Sequence, residues 1–204
     1  MSWIGNLLDA RFGAPSRAMK ATQFEQFDLE PGVVVFLGDS ITEGGLWHEW
    51  FPNRRVANRG IDGDTTAGVL ARLATATQGP PAQVFLLIGT NDLGRGVKPP
   101  AITANIDTIL TGIGESAPEA HVVLQSVMPR DPRFRDTIVG LNDDYRIVAG
   151  RHGAAFLDLW PALADSSGCL RREYTLDNLH LNGAGYRSWV EQLRPLVPDE
   201  PAGR

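Results

Sequence analysis

Cysteine, histidine and long apolar runs are all scarce in this chain. Cys169 is the only cysteine, so neither an intramolecular disulfide nor a zinc site built from several thiolates can form. No stretch approaches the ~18 consecutive apolar residues of a membrane-spanning helix. The N-terminal stretch MSWIGNLLDARF lacks the basic segment and apolar core of a secretory leader, because Asp9 and Arg11 interrupt its short apolar patch. No Asn-x-Ser/Thr acceptor occurs. Positive charge is also short: 19 Lys and Arg stand against 24 Asp and Glu, a formal net charge of −5. Nucleic-acid binding draws on clustered positive charge, so no nucleic-acid partner is expected. These absences point to a soluble, cytoplasmic protein with no integral membrane association.

What is present is ordinary globular usage, 43% hydrophobic and 21% charged over 204 residues. A chain of this length buries about 70% of its unfolded surface and needs no covalent or metal staples. The expected organisation is an N-terminal helical arm over residues 1–29, one domain over 30–197 and a loose tail over 198–204. The apolar side chains of the arm (Trp3, Ile4, Leu7, Leu8) could pack on the domain or on a second copy of the chain.

Short apolar runs alternate with helical periodicity. VVVFL (33–37), VFLLI (84–88) and VVLQSV (122–127) read as strands covered on both faces, with further strands at 154–159 and 55–58. Ile102, Ile106, Ile109, Leu110 and Ile113 make one apolar helix face, and Phe134, Ile138, Leu141, Tyr145 and Val148 make another. Asp131-Pro132 is a start signal for the second. Val69, Leu70 and Leu73 mark a helix after the 55–58 strand, and Tyr186, Trp189, Val190 and Leu193 mark the last one. Alternating strands and helices predict a mostly parallel sheet with helices on both faces. Ligands in such folds sit at the C-terminal ends of the strands.

Four polar loops fall at such strand ends. Gly38-Asp39-Ser40-Ile41-Thr42 places a serine at a strand exit, where a helix N-terminus favours developing negative charge; equally, these residues could simply cap that helix. Asn58-Arg59-Gly60-Ile61-Asp62-Gly63-Asp64 has too many carboxylates to cradle a phosphate, but Gly60 could offer its backbone N–H to an oxyanion. Gly89-Thr90-Asn91-Asp92 offers the Asn91 amide as a neutral donor, or else an Asx-turn. In Asp177-Asn178-Leu179-His180 the carboxylate and imidazole can meet across one turn, the Asp fixing the His tautomer. Together the loops supply a nucleophile, a base, an acid that orients the base, and oxyanion donors: the set that acyl transfer through a serine intermediate requires.

These blocks, GDSIT, NRG, GTND and DNLH in that order, resemble the SGNH (GDSL-type) hydrolase family over about residues 30–195. NRGIDGDTT, IGTNDL, SVMPR and LHLNGAGY look closest to its platelet-activating-factor acetylhydrolase-like branch, with Asp62 standing where that branch often has Gly. The resemblance implies a flavodoxin-like three-layer α/β/α sandwich with a central five-stranded parallel sheet. It also implies Ser40 as nucleophile, His180 as general base and then acid, and Asp177 as its orienting carboxylate. The oxyanion hole would be the Ser40 and Gly60 amides plus the Asn91 side chain, with no metal and no cofactor. No G-x-S-x-G elbow of the α/β-hydrolase type is present.

The expected activity is hydrolysis of short-chain, above all acetyl, esters of a small-molecule substrate. Trp47, Leu93, Met128, Leu179 and Leu181 lie near the loops as candidates for an acyl pocket, Trp47 and Met128 being equally candidates for the core. The loops leave no segment over for a lid. The alternatives are a lysophospholipase, thioesterase or acyltransferase and, from another class, a flavodoxin-like module that binds without catalysis.

Overall fold

The structure is a computed structural model and describes residues 13–197, so the apolar arm residues Trp3 to Leu8 and the tail 198–204 lie outside the described residues. Helix α1 (Ala14–Phe24) precedes the sheet. The strands are β1 (Val34–Gly38), β2 (Val56–Gly60), β3 (Gln83–Leu87), β4 (His121–Gln125) and β5 (Ala155–Leu157). All pair in parallel, in the order β2-β1-β3-β4-β5. Between them run α2 (Ser40–Glu43), α3 (Trp47–Trp50), α4 (Thr66–Ala71), α5 (Ala74–Thr77), α6 (Thr90–Gly94), α7 (Pro99–Ser116) and α8 (Arg135–Arg151). After β5 come α9 (Trp160–Leu163) and α10 (Gly183–Leu193).

The apolar runs form strands because a central parallel strand is buried on both faces. Along β1, Val35 and Leu37 face a core shared with Val69 of α4, Ile102, Ile106 and Ile109 of α7, and Ile138 and Leu141 of α8. Val34 and Phe36 point the other way, toward Trp47 of α3, Leu163 of α9 and Trp189, Val190 and Leu193 of α10. The result is three layers, α/β/α, as expected. Burying side chains of this size contributes roughly 1.5–3 kcal/mol each.

Each strand lies within a residue or two of its apolar run, but the last is cut to half its expected length. β5 spans only Ala155–Leu157, where six residues were expected. Leu159 leaves the strand to cap α9, and its N–H donates to the buried Ser126 hydroxyl (2.9 Å). Asp131 does start a helical segment, but its side chain accepts from Arg133 N (3.1 Å) to cap a 3₁₀ turn, Pro132–Phe134, that feeds α8.

The strand order reverses direction at β1. The chain leaves β1 for β2 on one side and reaches β3 on the other, which opens a crevice at the C-terminal ends of β1 and β3. The loops bearing Ser40 and Asn91 follow these two strands.

Candidate active site

β1 ends at Gly38, which must be glycine: a Cβ there would collide with the Leu87 carbonyl and the Thr42 hydroxyl. The chain turns at Asp39, whose carboxylate caps α2 by accepting from Ile41 N (3.0 Å). This turn leaves Ser40 half-buried at the head of α2. The opposite wall comes from the segment before α10. There Asn178 takes φ 60, the one positive φ among the described non-glycine residues. That left-handed step folds Asp177 back over His180. Asp177 Oδ1 accepts the backbone N–H groups of Leu179 (3.0 Å) and His180 (2.8 Å) and the Thr175 hydroxyl (3.2 Å).

The structure thus brings Ser40 against the Asp177–His180 pair, whose histidine lies 140 residues further along the chain. Ser40 Oγ lies 3.0 Å from His180 Nε2, and His180 Nδ1 lies 2.7 Å from Asp177 Oδ2. With Nδ1–H donating to the carboxylate, Nε2 is the ring nitrogen left with a lone pair toward the Ser40 hydroxyl. Partial desolvation disfavours the Asp177 charge, but hydrogen bonds from the His180 ring and amide and from the Leu179 amide outweigh it. They hold this carboxyl well below the usual carboxylate range.

Behind Ser40, Asp39 is buried. Desolvation pushes its carboxyl up to about 7, against the opposing pull of the Ile41 amide. It lines a cavity of about 10 Å³ with Ile41, Leu87, Ile88, Thr90, Val127 and Met128. That is room for about one water.

GTND forms a helical turn, α6, rather than an Asx-turn. Gly89 leads into it at φ 124, packed so close to the Tyr145 hydroxyl that a side chain could not fit. The half-buried Asn91 donates one N–H to the Asp64 carbonyl (2.9 Å), which leaves its second amide proton available. Asp92 reaches across to α4 and accepts from Thr66 N (3.0 Å) and Thr66 Oγ1 (2.6 Å).

Gly60 departs from expectation. Its N–H already donates to Asn58 Oδ1 at 2.9 Å. Gly60 is needed for close packing instead, since a Cβ would run into the backbone of Thr42 and Glu43. Three residues on, Gly63 turns the loop at φ 68, and among the described residues no acceptor takes its N–H. The Asp64 carbonyl that holds Asn91 belongs to the next residue. The sequence offers two glycines in this loop, and only their packing separates them.

The expected acyl-lining residues also sort differently. Trp47, Leu93, Met128 and Leu181 are buried, and only Leu179 stays half-exposed. Trp47 stacks on Phe36 at 4.0 Å and donates Nε1–H to the Thr42 carbonyl (2.9 Å), so it supports the Ser40 turn. A cavity of about 300 Å³ lined by Gln83, His121 and His152 sits at the N-terminal ends of β3 and β4, the far edge of the sheet. Among the described residues no cluster of His, Cys, Asp and Glu is arranged to hold a metal ion, and no helix is long and apolar enough to cross a membrane.

A parallel α/β/α sandwich with a serine, a histidine and a carboxylate aligned at its switch point defines a class, the serine-type acylhydrolases. Comparison with known proteins gives the family: residues 36–188 match the GDSL-like Lipase/Acylhydrolase family, and the chain belongs to it. The platelet-activating factor acetylhydrolase IB subunit alpha1 of Homo sapiens is 32% identical over 180 residues, covering 83% of this chain and 77% of that protein. The Bos taurus subunit matches at the same identity, with 76% of its length covered. A solved structure from Streptococcus pneumonia, ascribed to platelet activating factor, superposes with a TM-score of 0.87 at 27% identity, over 96% of this chain and 99% of that one. A GDSL-like lipase from Bacteroides thetaiotaomicron has the same fold (TM-score 0.73, 24% identity, 88% and 96% covered). The chain is therefore a hydrolase with esterase chemistry, and a purely binding role is set aside.

Proposed function

We propose that this protein is a serine esterase that removes short acyl groups, acetyl above all, from a small-molecule ester. One observation carries the reading: the continuous relay from Ser40 Oγ to His180 Nε2 (3.0 Å) and from His180 Nδ1 to Asp177 Oδ2 (2.7 Å). Ser40 Oγ attacks the ester carbonyl while His180 Nε2 takes its proton. Asp177 stays ionised, fixes the ring and stabilises the imidazolium. The tetrahedral oxyanion is held by the Ser40 amide and the free proton of Asn91 Nδ2. The third donor in this reading is the Gly63 amide beside Asn91, because the Gly60 amide is committed to Asn58. The alcohol departs with the proton from His180, leaving an acyl-enzyme. Water, deprotonated by the same ring, then releases the acid and restores Ser40.

Two things support a short acyl group. The similar curated proteins are named acetylhydrolases. The apolar side chains nearest the nucleophile are packed into the core rather than around a channel. The test is turnover of p-nitrophenyl acetate by wild type and Ser40→Ala. Loss of the nucleophile is expected to lower kcat by roughly 10⁴- to 10⁶-fold. Equal rates would overturn the reading.

A further inference from the structure

We propose that Arg72 is a positioning residue for the reaction: its guanidinium fixes the separation between the nucleophile turn and the loop that holds the oxyanion donor Asn91. The inference rests on the reading of Ser40 and Asn91 given above. Arg72 follows α4, and its side chain is buried between the two loops. Nε donates to Asp64 Oδ2 at 2.8 Å, and Nη2 donates to the Gly38 carbonyl at 2.9 Å. Gly38 lies two residues before Ser40. The Asp64 backbone carbonyl accepts from Asn91 Nδ2 at 2.9 Å. A continuous set of contacts therefore runs from Ser40 through Gly38, Arg72 and Asp64 to Asn91.

The residue type fits that task. A guanidinium presents its donors in a rigid planar fork, so two acceptors bound to it are held at a set spacing. A lysine ammonium is a point charge on a flexible stem and cannot impose one. The pair is dry: both side chains are only 6% exposed. The Phe24 ring of α1 stands 5.9 Å from the Arg72 guanidinium carbon on one side. Gly68 leaves room for the carboxylate, since a Cβ there would strike Asp64 Oδ1. Arg72 Nη1 is buried without a hydrogen-bond partner. The guanidinium thus sits where two loops need it rather than where all its donors are satisfied. An oxyanion donor works only within about 2.7–3.1 Å of the charge that develops, and a misplacement of about 1 Å can cost on the order of 100-fold.

A double-mutant cycle on p-nitrophenyl acetate hydrolysis tests this. Arg72→Lys is expected to lower kcat at least tenfold with KM changed less than threefold. Asn91→Ala is expected to lower kcat about 100- to 1000-fold, as for loss of one oxyanion donor. In the Asn91→Ala background, adding Arg72→Lys is expected to cost less than a further threefold, because the donor it positions is gone. Should Arg72→Lys fail to fold, Asp64→Asn combined with Arg72→Gln removes both buried charges together, so neither is left unpaired. The same kinetic signature is expected of that pair. If the Arg72 and Asn91 losses multiply, if only KM changes, or if Arg72→Lys keeps more than half of the wild-type kcat, the inference is overturned and the Asn91 assignment stands. An Asn91→Ala variant within twofold of wild type overturns both.

Discussion

Asp39 and Asp177 show how two carboxylates about the same serine are shifted in opposite directions. Asp177 is half-exposed, and its two oxygens share four donors, so its charge is held. Asp39 is buried among mostly apolar side chains and accepts from the Ile41 amide, and desolvation raises its carboxyl to about 7, so it stays neutral below that pH. The linkage for Asp39 follows from a folded value raised from 3.8 to about 7. The stability it contributes is full below the unfolded value and is lost as pH rises to about 7. Asp39→Asn keeps an oxygen for the Ile41 amide and cannot ionise. This variant is expected to exceed the wild type in unfolding free energy by on the order of 2–4 kcal/mol at pH 8, and by little near pH 4. Denaturant unfolding at the two pH values measures the difference; the same difference at both would refute the linkage. Sequence reading finds Asp39 as a helix cap but not as an acid whose pKa is raised, because burial is a property of the assembled core.

At the scale of elements, the turn from Asp177 to His180 decides whether the relay exists. The three-residue spacing makes the meeting possible, and the left-handed Asn178 makes it happen. Asn tolerates that conformation, while a β-branched residue pays roughly 1–2 kcal/mol for it. Asn178→Gly is expected to keep kcat within about threefold of wild type. Asn178→Val is expected to lower both the unfolding free energy, by about 1–2 kcal/mol, and kcat, as Asp177 loses its place against His180. A Val variant with unchanged kcat would mean that the turn does not position the base. The short helices α2 and α6 belong to the same scale. Each is a single turn locked by a glycine that no other residue can replace, Gly38 and Gly89. The helix behind Ser40 was legible from its capping residues at a strand exit, whereas α6 was not, since five residues carry no periodicity. The long helices α7 and α8 were legible because their apolar stripes repeat over many turns.

For the whole molecule, the question is where an acyl chain could go. Every strand end at the switch point is occupied by a motif loop, and the large apolar side chains beside them fill the two cores. Trp47 and Met128, which could have lined a pocket, support Phe36 and the wall of the 10 Å³ cavity instead. A long chain thus finds no tunnel among the described residues. The specificity constant for p-nitrophenyl esters is expected to fall at least tenfold from acetate to octanoate. Measurement across the acetate–palmitate series checks this, and faster hydrolysis of palmitate than of acetate would refute it.

The sequence by itself determined the layered α/β architecture, through apolar runs of strand length alternating with stripes of helical period. It also singled out Ser40, Asn91, Asp177 and His180 as candidates, because a hydroxyl, an amide, a carboxylate and an imidazole occur in polar loops just past those runs. Both are local signals, readable without knowing what packs on what. The tertiary structure alone decided three other matters: which glycine of the NRGIDG loop has its amide committed, which apolar residues near the loops are core, and that Arg72 bridges Gly38 and Asp64. The last two depend on contacts between segments distant in sequence; the first depends on Asn58, whose amide is anchored to the Glu43 and Gly45 carbonyls, and on the close packing that leaves a Cβ no room at Gly60.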